Sequence, residues 1–179
     1  MSRLIIYAEH DAHPIETLTD GAEIGRRLGA LGVRFERWEA ARTLADDASQ
    51  DDILAVYRTQ VDALIEEYGF KSVDVVSIDP THPDKTALRA KFLDEHIHSD
   101  FEVRFFVDGQ GLFYIRADGK VYGVLCEQGD LISVPANTPH WFDMGENPHF
   151  KCIRLFTTPA GWVAQFTGDK IASRYPQFS

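Results

Sequence analysis

Hydrophobic and polar positions recur along this chain with two different periods, and the change falls near residue 71. Before it the period is mainly helical. Ile15 to Leu28 carries a helical pattern closed by Gly29. Asp51 to Tyr68 carries the clearest one, with Ile53, Val56, Tyr57, Val61, Leu64 and Ile65 on one face, acidic residues at its start and Gly69 to stop it. Between them VRFERWEA alternates as a short strand. After residue 71 the stretches shorten. SVDVVSID reads as a strand, and Pro83 and Asp84 open a short helix. Then EVRFFVDG, GLFYIRADG, KVYGVLCEQGD, LISVPANTPHWFDMG and KCIRLFTTP follow one another with Gly, Asp and Pro between them. ADG at 117–119 is a hairpin signal, because Asp-Gly accepts the positive φ that a tight turn between twisted strands needs. The pattern predicts a mainly β fold: an antiparallel β-barrel in a single domain over 1–179, with 1–70 a helical part packed on it and 71–179 the barrel and C-terminal segment.

One stretch departs from apolar alternation. In EHIHSDFEVRFFVDG, side chains two apart on a strand share a face, so His96, His98, Glu102, Arg104 and Phe106 point one way and Val103, Phe105 and Val107 the other. Two imidazoles and a carboxylate turned into a core without a cation are unfavourable, and a divalent metal ion removes the penalty. A pair of surface histidines beside an acidic turn is the ordinary alternative for His-x-His alone. Farther on, GDLISVPANTPHWFD places Pro135 six positions after Gly129, and His140 five after Pro135.

Composition narrows what such a protein does. Apolar residues make up 44% of the 179, with twelve Phe, six Tyr and three Trp, which excludes intrinsic disorder. The net charge of −10 disfavours nucleic acid as a partner. An anionic small molecule would need a local cation, from a metal or an arginine. No apolar run nears the ~20 residues of a membrane span, and MSRLIIYAEHDAH is not a signal peptide, so a cytoplasmic protein without a membrane partner is expected. Cys126 and Cys152 fit no disulfide or Cys-x-x-Cys pattern and read as free thiols. His10, His13, His82 and His149 read as surface residues.

The two histidine segments resemble the two motifs of the cupin superfamily: His-x-His, a few residues, Glu, six residues and Gly, then Gly, five residues, Pro-x-Gly, two residues and His. Asn137 stands where the second motif usually has Gly, a mild departure, since Asn tolerates positive φ. The resemblance implies a cupin-type barrel (double-stranded β-helix) in which His96, His98, Glu102 and His140 bind one metal ion. KFLDEHIHSDFEVRFFVDGQGLFYIR, GDLISVPANTPHWFDMG and RLFTTPAGWVAQFTGD together resemble the acireductone dioxygenase family, most closely from Lys91 to Asp169. That resemblance implies oxidation of the acireductone 1,2-dihydroxy-3-keto-5-methylthiopentene by O₂ in methionine salvage. With Fe(II) the products are formate and 2-keto-4-methylthiobutyrate. With Ni(II) they are formate, carbon monoxide and 3-methylthiopropionate. Phe101 stands where the family usually has an acidic residue, so no proton-handling role transfers to it.

Other residues enter by position. Arg104, by its inward parity, would set a cation beside a bound enediolate; a salt bridge to a barrel carboxylate is its structural alternative. Glu95 could act as a base or as a partner of a ligand, although strand parity turns it away from the site. Phe92, Phe142 and Trp162 could wall an apolar pocket for a methylthio tail. A closed barrel has no free edges, so a monomer is expected. Two readings stand beside the dioxygenase: another metal-dependent cupin enzyme, and a non-catalytic ligand-binding cupin module.

Overall fold

A computed structural model describes residues 1–39, 43–158 and 163–178. In chain order the elements are β1 Arg3–Ala8, β2 Pro14–Leu18, α1 Gly21–Gly29, β3 Arg34–Arg37, α2 Gln50–Val56 and α3 Arg58–Tyr68. They continue with β4 Ser72–Ile78, α4 Lys85–Leu93, β5 His96–Ile97, β6 Glu102–Ala117, β7 Lys120–Glu127 and β8 Asp130–Val134. The last are β9 His140–Asp143, β10 Phe150–Phe156, β11 Gln165–Phe166 and a 3₁₀ turn at Ile171–Arg174.

The fold is organised by β6. EVRFFVDG and GLFYIRADG, which read as two stretches, form one strand of 16 residues. Its first half pairs with β8 and β10, and its second half with β7 and β9, all antiparallel. The strand changes sheets at Gly109, which has φ 76°. A Cβ there would lie 1.9 Å from the His149 carbonyl oxygen, and one at Gly111 would lie 2.4 Å from the Phe142 ring. Only glycine lets the chain pass both points. At the far end Asp118 and Gly119 both take positive φ, the hairpin that Asp-Gly signals.

Alternation along β6 separates two apolar clusters. Phe106, Phe113 and Ile115 face the barrel interior, where they meet Leu4, Ile6, Ile132, Phe142 and Phe150. Val103, Phe105 and Val107 face the opposite way, onto Ile53, Val56, Val61 and Leu64 of α2 and α3. The parity read from the sequence holds from Glu102 to Val107 and assigns the helices to the outside of the barrel, but the single strand assumed from His96 does not form, because β5 ends at Ile97 and β6 begins at Glu102. Both cysteines are buried free thiols.

The helix expected within Ile15 to Leu28 is α1, which starts at Gly21 because β2 pairs with β1 and Asp20 caps α1 by accepting from the Glu23 amide at 2.9 Å. Two other expectations about the N-terminal part need correction. Residues 1–70 are not simply a helical layer, since β1 lies between β2 and β7 and β3 pairs with β8. The helix drawn over Asp51 to Tyr68 breaks at Tyr57, whose φ and ψ of −107° and 16° leave the helical region. The Tyr57 ring packs 4.6 Å from Phe105, and Gly69 ends α3 in the left-handed conformation as expected. The premise behind the monomer reading also fails: among the described residues β2, β3, β4 and β11 each pair on one side only.

Two glycine replacements test this account of the chain path. Gly109→Ala should lower stability by more than about 1 kcal/mol, because it meets backbone at positive φ. Gly21→Ala, with nothing near its Cβ position, should leave stability unchanged or raise it by about 0.5 kcal/mol. Urea unfolding midpoints of the two variants read the difference.

Candidate metal centre

Two segments far apart in sequence meet at one end of the barrel. β5 pairs with β9 so that His96 lies opposite His140, and Ile115 of β6 flanks His140 on the other side. His98 follows β5 and Glu102 opens β6. The Asn137 amide donates to the His98 carbonyl at 2.9 Å, and Asn137 takes φ 62°, the conformation its place in the second motif asks for. One ligand atom from each of His96, His98, Glu102 and His140 lies within 4.8 Å of all the others, and all four residues are buried.

Hydrogen bonds aim these groups. His96 Nδ1 donates to the Asp94 carbonyl and His140 Nδ1 to the Thr138 carbonyl, each at 2.7 Å. A carbonyl only accepts, so Nδ1 carries a proton in both rings and Nε2 turns to the cluster. Glu102 Oε2 lies 2.6 Å from His140 Nε2 and 3.2 Å from His98 Nε2. Its Oε1 accepts from Arg104 Nε at 2.9 Å. Burial and the nearby His140 charge push His96 down to about 4. Burial also opposes ionisation of Glu102, but His140, His98 and Arg104 outweigh it and hold the carboxyl well below its usual range. His140 is raised: burial works against its charge, and the adjoining Glu102 carboxylate prevails. Glu102 and His140 thus favour each other's charged forms, beside a His96 that burial keeps neutral.

The other expected residues divide. Arg104 is buried against Glu102, the salt bridge that was its structural alternative, and it also lines a cavity of about 220 Å³ with Phe92, Phe142, Met144 and Phe150. Its guanidinium carbon lies 5.4 Å from the Phe142 ring centre and 5.9 Å from that of Phe92. The salt bridge is thus present, and the same guanidinium reaches the cavity. The Glu95 carboxylate, by contrast, is bound by Arg116 and the Thr167 hydroxyl, and is not among the four converging groups. Trp162 falls outside the described residues. Phe101 packs its ring 5.1 Å from Tyr68, on the helix side of the sheet. His10, His13 and His149 are exposed as expected, but His82 is half-buried and lines the cavity. Nothing in the spacing around His82 announces this, because the turn before α4 is what carries it there.

A cupin-type barrel that brings three imidazoles and a carboxylate together in its interior belongs to the metal-dependent barrels. The comparisons with known proteins make this more specific. The ARD/ARD' family model matches residues 6–164. Acireductone dioxygenases from Hahella chejuensis and Aquifex aeolicus are 58% and 55% identical, over 99% of this chain and 96% and 97% of their own lengths. The solved structure of acireductone dioxygenase from Bacillus anthracis with cadmium ion in its active center aligns with a TM-score of 0.81 at 31% identity, covering 93% of this chain and 98% of that one. This chain belongs to the ARD/ARD' family.

A metal ion competes with the proton that Glu102 favours on His140, whereas His96 and Glu102 carry none at pH 6. Calorimetric titration of the metal-free protein with Ni(II), in buffers of different ionisation enthalpy, should show proton release at pH 6. The release should fall away as pH rises above the His140 value. Uptake without release at pH 6 would contradict the charge assignment.

Proposed function

We propose that this chain is an acireductone dioxygenase, with His96, His98, Glu102 and His140 holding one Fe(II) or Ni(II). The observation that carries the reading is the convergence of these four buried groups beside an arginine-lined apolar cavity, in a chain so similar to enzymes of that name. The donor set fits the ion: three nitrogens and one oxygen suit borderline divalent metals, and the paired Glu102 is already ionised. When bound, the ion supplies Lewis acidity towards a chelating enediolate and brings it into reach of O₂.

The protein's own residues do the rest. Glu102 stays ionised because His140, His98 and Arg104 outweigh its burial, and Arg104 holds its second oxygen, so one carboxylate oxygen faces the imidazoles while the other fixes the side chain. The same guanidinium, exposed to the cavity, offsets the negative charge of a bound enediolate in a protein whose overall charge repels it. Phe92 of α4 and Phe142 of β9 flank that guanidinium and take the methylthio tail of 1,2-dihydroxy-3-keto-5-methylthiopentene. Glu95, already bound by Arg116, is a support of the strand next to His96 rather than a base. With Phe101 on Tyr68, the side chain at that position handles no proton. The enzyme acts in methionine salvage on a free small molecule and O₂, in the cytoplasm. Among the described residues no helix is long and apolar enough to cross a membrane.

Reconstitution tests the proposal. Stripped protein loaded with Fe(II) should consume acireductone and O₂ to give formate and 2-keto-4-methylthiobutyrate; loaded with Ni(II) it should give carbon monoxide and 3-methylthiopropionate as well as formate. If neither ion restores loss of the enediol absorbance, the function is another one. Arg104→Ala should leave metal content near one ion per chain while turnover falls about 10²-fold or more. Lost metal together with full activity of the protein that remains loaded would remove Arg104 from the reaction.

A further inference from the structure

Arg116, near the end of β6, gathers three carboxylates. Its Nε donates to Glu9 at 3.0 Å, and Nη1 donates to Asp169 at 2.9 Å and to both oxygens of Glu95 at 3.2 and 3.3 Å. The same residue's backbone amide donates to the Pro139 carbonyl at 3.0 Å, one position before His140. Glu95 stands one position before His96. Its carboxylate also accepts from the Thr167 hydroxyl at 2.7 Å, and its carbonyl accepts from the Thr167 amide at 3.1 Å. Thr167 follows β11, whose Phe166 pairs with His96 and sets its ring 5.9 Å from the imidazole. Asp169 in turn accepts from the Ile171 amide at 2.9 Å, where the 3₁₀ turn begins.

We propose that Arg116 is a positioning residue that sets the distance between His96 and His140 and seats β11 against His96. The inference rests on reading those histidines as metal ligands. Its physical basis is that one residue grips both segments: the main chain holds the approach to His140, and the guanidinium fork holds the residue next to His96. β5 has only two residues and one paired position with β9, so its own ladder places His96 weakly. Without Arg116 the buried Glu95 would lose its cation beside two other carboxylates, and β5 would shift to relieve the repulsion. Lysine keeps the charge but has no fork with which to reach three carboxylates on separate segments.

Cobalt(II) reports the spacing directly, through its d–d absorption and its dissociation constant. Arg116→Lys and Arg116→Gln should bind Co(II) about 10- to 100-fold more weakly than the unaltered chain, with shifted d–d bands. Leu28→Ala, a core change in α1 remote from the hub, serves as the stability control and should lower Tm while leaving the Co(II) spectrum and affinity unchanged. The inference is overturned if the arginine variants lower Tm like the control and keep unaltered Co(II) affinity and bands. If Arg116→Gln does not fold, Arg116→Lys decides by the same criterion. If the unaltered chain itself binds no Co(II), the four-ligand reading fails and takes this inference with it, whereas weakening confined to the arginine variants supports both.

Discussion

A carboxylate buried with three imidazoles inside an apolar barrel is the constraint around which this molecule is arranged. Glu102 is almost fully removed from water, and a charge in that environment persists only if it is paired and hydrogen-bonded. Both of its oxygens are used, one by His140 and His98 and the other by Arg104. The pairing also shapes the protonation of its neighbours, favouring a proton on His140 while burial keeps His96 neutral. A divalent ion would take that proton's place and share its charge among all four groups.

The strand that carries Glu102 and Arg104 also builds the enclosure. β6 runs through both sheets, and its bend at Gly109 allows one strand to supply the site at its start and Arg116 near its end. α4 and β9 then bring Phe92 and Phe142 to either side of Arg104. Asp143, at the end of β9, accepts from Arg89 of α4 at 2.9 and 3.2 Å and from the Phe178 amide at 2.9 Å. One buried carboxylate therefore holds the helix, the pocket strand and the C-terminal tail together, and the cavity inherits its shape from that tie.

Much of the site was readable because strand parity is a local rule. Glu102, Arg104 and Phe106 share a face by counting alone, whereas His96 and His98 reach the site from β5 and the bend after it; all five are buried in the folded chain. The Asp-Gly hairpin and the Gly69 stop are equally local, since each depends on the φ of one or two residues. The misreadings share a different cause. In sequence the stretch from Ile15 to Leu28 shows its helix alone, but its first residues belong to β2 and meet β1 as a strand. Tyr57 fits the helical face of 51–68, yet its packing on Phe105 bends the chain there. His82 looked like a surface histidine because no nearby residue signals the cavity.

By itself the sequence determined which side chains share a face from Glu102 to Val107 and where the Asp-Gly hairpin and the Gly69 stop fall, each from the geometry of a few consecutive residues. His140 joined the donor set through the resemblance to known motifs, not through local geometry. Only the tertiary structure decided that β1 joins the sheet, that Glu95 answers to Arg116, and that Arg104 serves Glu102 and the cavity together. Those outcomes depend on contacts between residues as far apart as 9 and 116, or 95 and 167, and on competition among partners for the same buried charge. No local pattern records that competition, because it is settled when the sheets close and each polar group takes the partner left within reach.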